Sequence, residues 1–312
     1  MVSLLIVIPA VFGLFAQESQ VNRTYTTDLN GRRVPEGIIT TDKGDTTTTR
    51  TEWAHSINGR RVPLESVEER IVSEGENGRV LERIVRRYDA NGNPGQVEKQ
   101  RIEELKNTDG SVNSVINVYR GDLSGNLRFA ERVTTESSKS GDTVNSTSTV
   151  ERTNVSGGLE VAERQVRTTS QDQSTSQSDT TIFRKDQQGR FVESLRVVSS
   201  SNEQNGQRTE NTAQYERGQT NSLELANQTV TRERKNEDGS LSREVDLFRR
   251  VPGRAEPTAS PRLEERQIIE QNKQGDRIVE TTSVQRPSIN DPNRLSAPRK
   301  IGERICEGAN CK

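Results

Sequence analysis

The sequence predicts an all-β chain: an extended antiparallel β-meander built from about eight to nine hairpin repeats of roughly 32 residues. Three observations predict it. The composition is too polar for a thick core yet rich in strand formers, turn dipeptides fall at regular intervals, and two series of marker residues recur with one period. The alternatives are a β-solenoid with one unit per coil and a largely disordered chain.

Composition sets the first limit. Of 312 residues, 28% are hydrophobic and 4% aromatic, and the mean hydropathy is −0.90. A chain this polar either stays disordered or folds without a deep interior. Charge is balanced, with 45 basic against 46 acidic residues. That balance lacks the positive field needed to neutralise phosphates, which excludes nucleic acid as a partner class.

The N-terminal element is an apolar run from Val2 to Ala16, with no charge before Glu18. It is too short for a bilayer helix, which needs about 20 residues, and it matches a signal-peptide core. The expected organisation is therefore a signal peptide over 1–16, a hairpin array over 17–250, and Pro-interrupted terminal repeats over 251–312. The location follows as extracytoplasmic, with no membrane span once the signal is cleaved.

The repeat markers come next. Bulky positions recur at Tyr25, Trp53, Tyr88, Tyr119, Val150, Phe183, Tyr215, Phe248 and Val284. In step with them run Glu69, Glu98, Glu131, Glu163, Glu193, Glu265 and Glu303, with Asn227 in the vacant place. Turn signals form two sets. Asn77-Gly78, Asp109-Gly110, Gly141-Asp142, Asn205-Gly206 and Asp238-Gly239 separate units, while Asn91-Gly92, Ser124-Gly125, Gly157-Gly158 and Gln188-Gly189 lie inside them. Asn and Gly tolerate positive φ, which tight hairpins require. The Thr- and Val-rich stretches between them favour strands.

Alternation within strands predicts one thinly apolar face, carrying Leu127, Phe129, Glu131 and Val133 in one unit and Leu159, Val161 and Glu163 in the next. The repeated Glu then reads as a column of acids paired with Arg on adjacent strands. An outer-membrane barrel needs a continuous apolar row toward lipid. These strands lack one, so the sequence argues against such a barrel and for a sheet that twists, curls or folds over on itself to hide its thin apolar face.

Candidate chemistry is sparse. The chain has one histidine, no nucleophile elbow and no phosphate loop, so it reads as non-catalytic and without a cofactor or metal. Asp89-Ala-Asn91-Gly-Asn93 resembles part of a calcium loop, but position twelve is Gln100 where a bidentate Glu belongs. Hairpin turns explain it better. Cys306 and Cys311 are read as a small disulfide loop pinning the C-terminal tail. Tyr88, Tyr119 and Tyr215 form a candidate binding strip, against the plainer reading that the bulky series packs between units. Tyr88-Asp89-x-x-Gly92 resembles one copy of the YD repeats of large bacterial shell proteins, and with a single copy no membership follows.

The functional expectation is an exported structural or adhesive repeat protein presenting a polar β-surface, bound to cell-surface polysaccharide or another envelope protein. The alternatives are a carbohydrate-acting enzyme or its binding module, and a disordered exported linker.

Overall fold

The computed structural model describes residues 18–27, 33–55, 60–122, 125–218, 221–236, 238–250, 261–275, 277–288, 291 and 294–307. The signal-peptide segment and Cys311 lie outside them. Eighteen strands follow one another: β1 (Glu18–Thr27), β2 (Arg33–Lys43), β3 (Thr47–His55), β4 (Arg61–Gly75), β5 (Gly78–Tyr88), β6 (Pro94–Lys106), β7 (Val112–Gly121), β8 (Leu127–Ser140) and β9 (Thr143–Thr153) in the first half. The second half holds β10 (Leu159–Gln171), β11 (Thr175–Lys185), β12 (Phe191–Gln204), β13 (Gln207–Arg217), β14 (Leu223–Lys235), β15 (Leu241–Arg249), β16 (Arg262–Gln274), β17 (Arg277–Gln285) and β18 (Arg299–Glu307). Among the described residues there is no helix.

Each strand pairs antiparallel with the next, so the predicted meander is present. Beyond it, β18 returns to β1, with Val21 opposite Glu307, Thr24 opposite Arg304 and Thr26 opposite Gly302. Every strand therefore has a neighbour on both sides, and the sheet closes on itself. This corrects the rejection of a barrel, and neither a solenoid nor disorder fits the described residues. The absence of an apolar row speaks only to lipid. Closure is set by register and by hydrogen bonding at both strand edges, which a polar strand satisfies as well as an apolar one.

The two sets of turns occupy opposite rims. At the rim away from the termini five hairpins share one five-residue form. Asp89 N–H donates to Asn93 O and Gly92 N–H to Asp89 O, and the same pair of bonds recurs at Asp122, Asn154, Asp186 and Gly218. The fourth residue takes positive φ, from 79 to 84° at Gly92, Gly125, Gly157 and Gly189, and 61° at Asn221. At the other rim shorter hairpins predominate, such as Asn205-Gly206, both at positive φ. That pairing of positive-φ residues suits a two-residue turn between right-twisted strands.

The even-numbered strands carry a bulge near the long-turn rim. In β8, Phe129 faces Tyr119 and Glu131 faces Val118, leaving Ala130 as the extra residue. The same insertion recurs at Ala162, Ser194 and Ala226, each thirty-two residues after the last. A bulge re-aims the chain by one residue. Phe129 and Glu131 therefore lie on opposite faces, as do Val161 and Glu163, and the single apolar face predicted for them is replaced by two mixed faces.

Burial distinguishes those faces. Along β10, Glu163, Gln165, Arg167 and Thr169 are half-buried, whereas Arg164, Val166, Thr168 and Ser170 are exposed. The buried apolar residues Val62, Leu81, Ile102, Val118, Leu195 and Val284 share the first face, and Leu105, Leu127, Leu159 and Val166 stand exposed on the second. A concave wall crowds its side chains, so the first face lines the lumen. Chirality gives the same answer. Paired residues drift toward the long-turn rim from strand to strand, as in Thr41, Arg50, Val67, Val85, Glu98 and Arg120. With right-handed strand twist, the β12 residues that bond toward β13 then point outward, and the hairpin closed by Gln204 and Gln207 makes these the even-numbered ones. Leu195, Val197 and Ser199 face inward.

Candidate functional site: the lumen wall and the outer belt

The lumen wall carries a ladder of ion pairs built by the bulges. Where a glutamate follows the bulge on its strand, it meets an arginine of the next strand or just past its end, whereas Leu195 after the β12 bulge faces Glu216. Glu98 meets Arg120 at 2.9 Å, Glu131 meets Arg152 at 2.8 Å, Glu163 meets Arg184 at 2.8 Å, and Glu265 meets Arg286 at 2.9 Å. Glu65 and Arg87, 3.2 Å apart, form a fifth rung. The predicted acid column is thus present, with three corrections. Glu69 pairs with Arg83 instead of opening the ladder. Glu193 precedes its bulge and so points outward opposite Phe183. Glu303 is on the outer face with Lys300. The glutamate side chains are the more buried partners, 6% exposed at Glu131 against 57% for Arg152. At Glu265, hydrogen bonds from Gln267 and then Arg286 outweigh burial and hold the carboxyl below its ordinary range.

Between β8 and β13 the lumen wall is lined by hydroxyls. Thr135 and Ser148 share a hydrogen bond of 2.8 Å, Ser176 and Ser201 one of 2.7 Å, and Ser199 and Thr212 one of 2.9 Å. Cross-strand hydroxyl pairs of this kind contribute about 0.2–1 kcal/mol each. The Ser/Thr-rich stretch in the sequence is the signal that locates this sector, although composition alone does not say which hydroxyls face inward.

The outer face carries Trp53, Tyr88, Tyr119, Phe183, Tyr215 and Phe248 of the bulky series, whereas Val150 and Val284 face the lumen. Just below the long-turn rim, Trp53 stands opposite Pro63, Tyr88 opposite Pro94, Tyr119 opposite Phe129, Tyr215 opposite Leu225 and Phe248 opposite Leu263. The candidate strip residues Tyr88, Tyr119 and Tyr215 therefore share one level of the wall but are spread around it. Two of them pack locally: Tyr88 Oη bonds Ser66 Oγ at 3.1 Å, and Tyr119 meets Phe129 edge-on with centroids 5.6 Å apart. Arg61 lies 4.2 Å over the Trp53 ring and Arg164 4.7 Å over Phe191. Lower on the same face, Asp246 is buried and accepts hydrogen bonds from Arg266 at 2.6 Å and Arg232 at 2.9 Å.

The loop at Asp89 spends its oxygens on its own turn. Oδ1 accepts the N–H groups of Asn91 and Asn93 at 2.8 and 2.9 Å, and Oδ2 accepts Asn93 Nδ2 at 3.0 Å. Hydrogen bonds from the Asn93 side chain and backbone accordingly lower its carboxyl from the ordinary value. Among the described residues no group of His, Cys, Asp and Glu could hold a metal, and no helix is long and apolar enough to cross a membrane, which says nothing of strands. Cys306 lies in β18, with Cα partners Asn22 and Ile278.

No family model and no curated protein matches this chain. Solved structures resemble this chain over most of its length. OmpF of Salmonella typhi, determined in complex with daunomycin, superposes with a TM-score of 0.53 at 8% identity, covering 93% of this chain and 95% of that one. OpdO of Pseudomonas aeruginosa aligns over 93% of this chain and 94% of its own at 9% identity, with a TM-score of 0.47. OmpF is a porin, an outer-membrane β-barrel channel. The expectation of an adhesive or structural repeat array is overturned here: the neighbouring fold is a channel, and the strands enclose a lumen instead of presenting an open surface.

Proposed function

We propose that this chain is a non-catalytic conduit of the cell envelope, a hydrophilic β-barrel whose lumen passes polar solutes. Ring closure carries the reading. Barrels of about sixteen to eighteen strands leave an aqueous lumen, and this one is lined by hydroxyls and ion pairs. The porin fold of OmpF supports the same class. The wall is the product of a repeated hairpin unit of roughly 32 residues, which the bulge spacing reflects. An export signal over 1–16 and a terminal Cys306–Cys311 disulfide fit an extracytoplasmic compartment.

The outer face determines how such a conduit is held. Its strands carry Asp179, Arg196 and Asn211 mid-wall, which a lipid-facing band of a spanning barrel excludes. Most of the wall therefore stands in water. The belt of Trp53, Tyr88, Tyr119, Phe129 and Tyr215 gives one lipid-compatible rim, since Trp and Tyr favour the membrane interface.

The test is a blocked lumen. Ser199→Cys, labelled with a bulky thiol-reactive polymer, is compared with the unlabelled protein in source cells lacking the native copy. Uptake of small polar solutes is expected to fall on labelling. Uptake that labelling and deletion both leave unchanged would refute the conduit. In a planar bilayer the purified chain is expected to give no stepwise conductance; steps would overturn the water-borne wall.

A further inference from the structure

We propose that Arg167 centres an oxyanion-binding site on the lumen wall, one that takes phosphate, sulfate or carboxylate groups. It lies in β10 on the concave face, half-buried between the exposed Val166 and Thr168. Its Nε is the one buried side-chain donor without a hydrogen-bond partner among the described residues. Such a donor is rare in a folded protein, because desolvation without a partner is unfavourable, and it marks a place where an ion or water belongs.

The surroundings select the ion. Several arginines on this wall face a carboxylate, as Arg152 faces Glu131 and Arg184 faces Glu163. Arg167 instead has Ser146 opposite it in β9 and Thr180 opposite it in β11. Its flanking neighbours on the same face are Gln165 and Thr169. The nearest acid on the strand, Glu163, is held by Arg184. A guanidinium that is always charged therefore stands among hydroxyl and amide groups that can donate but carry no negative charge. The complement is an anion with several acceptor oxygens, bound by the guanidinium fork and by hydroxyls from two adjacent strands.

This deepens the conduit reading by naming its solute class, anionic and oxygen-rich, but the binding step is measurable without transport. The mature chain is titrated with inorganic phosphate, sulfate and acetate by calorimetry at constant ionic strength. Saturable binding at one site is expected, weakened at least tenfold in Arg167→Gln, partly kept in Arg167→Lys, and unchanged in Arg152→Gln. Equal affinity in Arg167→Gln, or no saturation with any of the three anions, would overturn the site and leave a water on Nε. Should Arg167→Gln fail to fold, the Arg167 Nε–H resonance of the native chain is followed during the phosphate titration. It is expected to move with the binding curve, and a stationary resonance overturns the proposal. Phosphate binding that persists while lumen blockage leaves uptake unchanged would defeat the conduit and spare the site.

Discussion

The lumen ladder offers one chemical pair in several environments, which makes it an internal control on its own energetics. Glu131 is 6% exposed beside Arg152, whereas Glu65 is 35% exposed beside an Arg87 that is 59% exposed. At an effective dielectric of about 20, opposite charges 2.8 Å apart attract by about 6 kcal/mol, against about 1.5 kcal/mol in bulk water. Desolvation of the buried glutamate offsets most of the larger figure. A hydrogen bond to a charged partner leaves a net contribution of about 1.5–3 kcal/mol. Because Arg152 itself reaches water, Glu131→Gln is expected to cost about 2 kcal/mol, at the lower part of that range. Glu65→Gln removes a pair that solvent screens, and its expected cost is under about 0.5 kcal/mol. Urea unfolding followed by far-UV circular dichroism measures both from midpoints at constant slope. Equal losses at the two rungs, or a larger loss at Glu65, would refute the claim that burial sets the strength of the ladder.

Four further outcomes are expected. With Thr24→Cys and Arg304→Cys, whose Cα atoms are paired across the seam, mild oxidation should give an intramolecular cross-link between positions 24 and 304 in a peptide map; its absence would mean the ring does not close in solution. Gly78→Ala should cost more than about 3 kcal/mol or prevent folding, because an added Cβ would lie 2.0 Å from the Glu104 carbonyl oxygen. Gly110→Ala, at φ +82° in open space, should cost only about 1–2 kcal/mol, and equal melting shifts would refute the packing argument. Deleting Ala162 removes the β10 bulge and should turn Leu159 and Val161 inward, with loss of the β signal or of several kcal/mol of stability; a native-like unfolding midpoint would show that the bulge is dispensable. Asp109 is held at about 2, below its ordinary 3.8, chiefly by the Ser111 hydroxyl and then by the Lys139 and Ser111 N–H groups. Its folded value is depressed, so its stabilisation is complete above about pH 4 and disappears as pH falls through about 2. The urea-midpoint gap between the native chain and Asp109→Asn should therefore shrink over that window, and a constant gap would contradict it.

Turns, strands and the acid column were legible in the sequence because each depends on local chemistry. Asn-Gly and Asp-Gly declare positive φ, Thr and Val declare extended backbone, and Glu131 with Arg152 declares a cross-strand pair. The bulges were not legible. Ala130, Ala162, Ser194 and Ala226 are small residues with no property that marks them as extra, and their effect is visible only against the partner strand. Missing them put Phe129 and Glu131 on one face and Glu193 in the wrong column. Closure was illegible for a different reason. It is the sum of eighteen registers, each read from a pair, and no single segment carries it. A missing apolar row bears on whether lipid surrounds the wall, which is a separate question from whether the wall closes. Arg167 was equally hidden, since its lack of a partner is a property of its neighbours in β9 and β11.

A closed ring also resolves how so polar a chain folds at all. An open sheet leaves two edges of unpaired backbone and one face that must find cover. Joining β18 to β1 removes both edges, so every strand can bond on both sides and none depends on a second layer. What then stabilises the wall is the cross-strand pair, worth about 0.2–1 kcal/mol, repeated around the ring. Ion pairs and hydroxyl pairs supply it as readily as apolar contacts, and here they do so on both faces: Glu131 with Arg152 inside, Arg266 with Asp246 outside. The apolar residues are left to the places where crowding is greatest, such as Val118 and Leu195 on the concave wall. It follows that opening the seam should destabilise the whole ring far more than loss of one pair. An open array would regain two edges at once, and it has no core in reserve to hold the remaining strands.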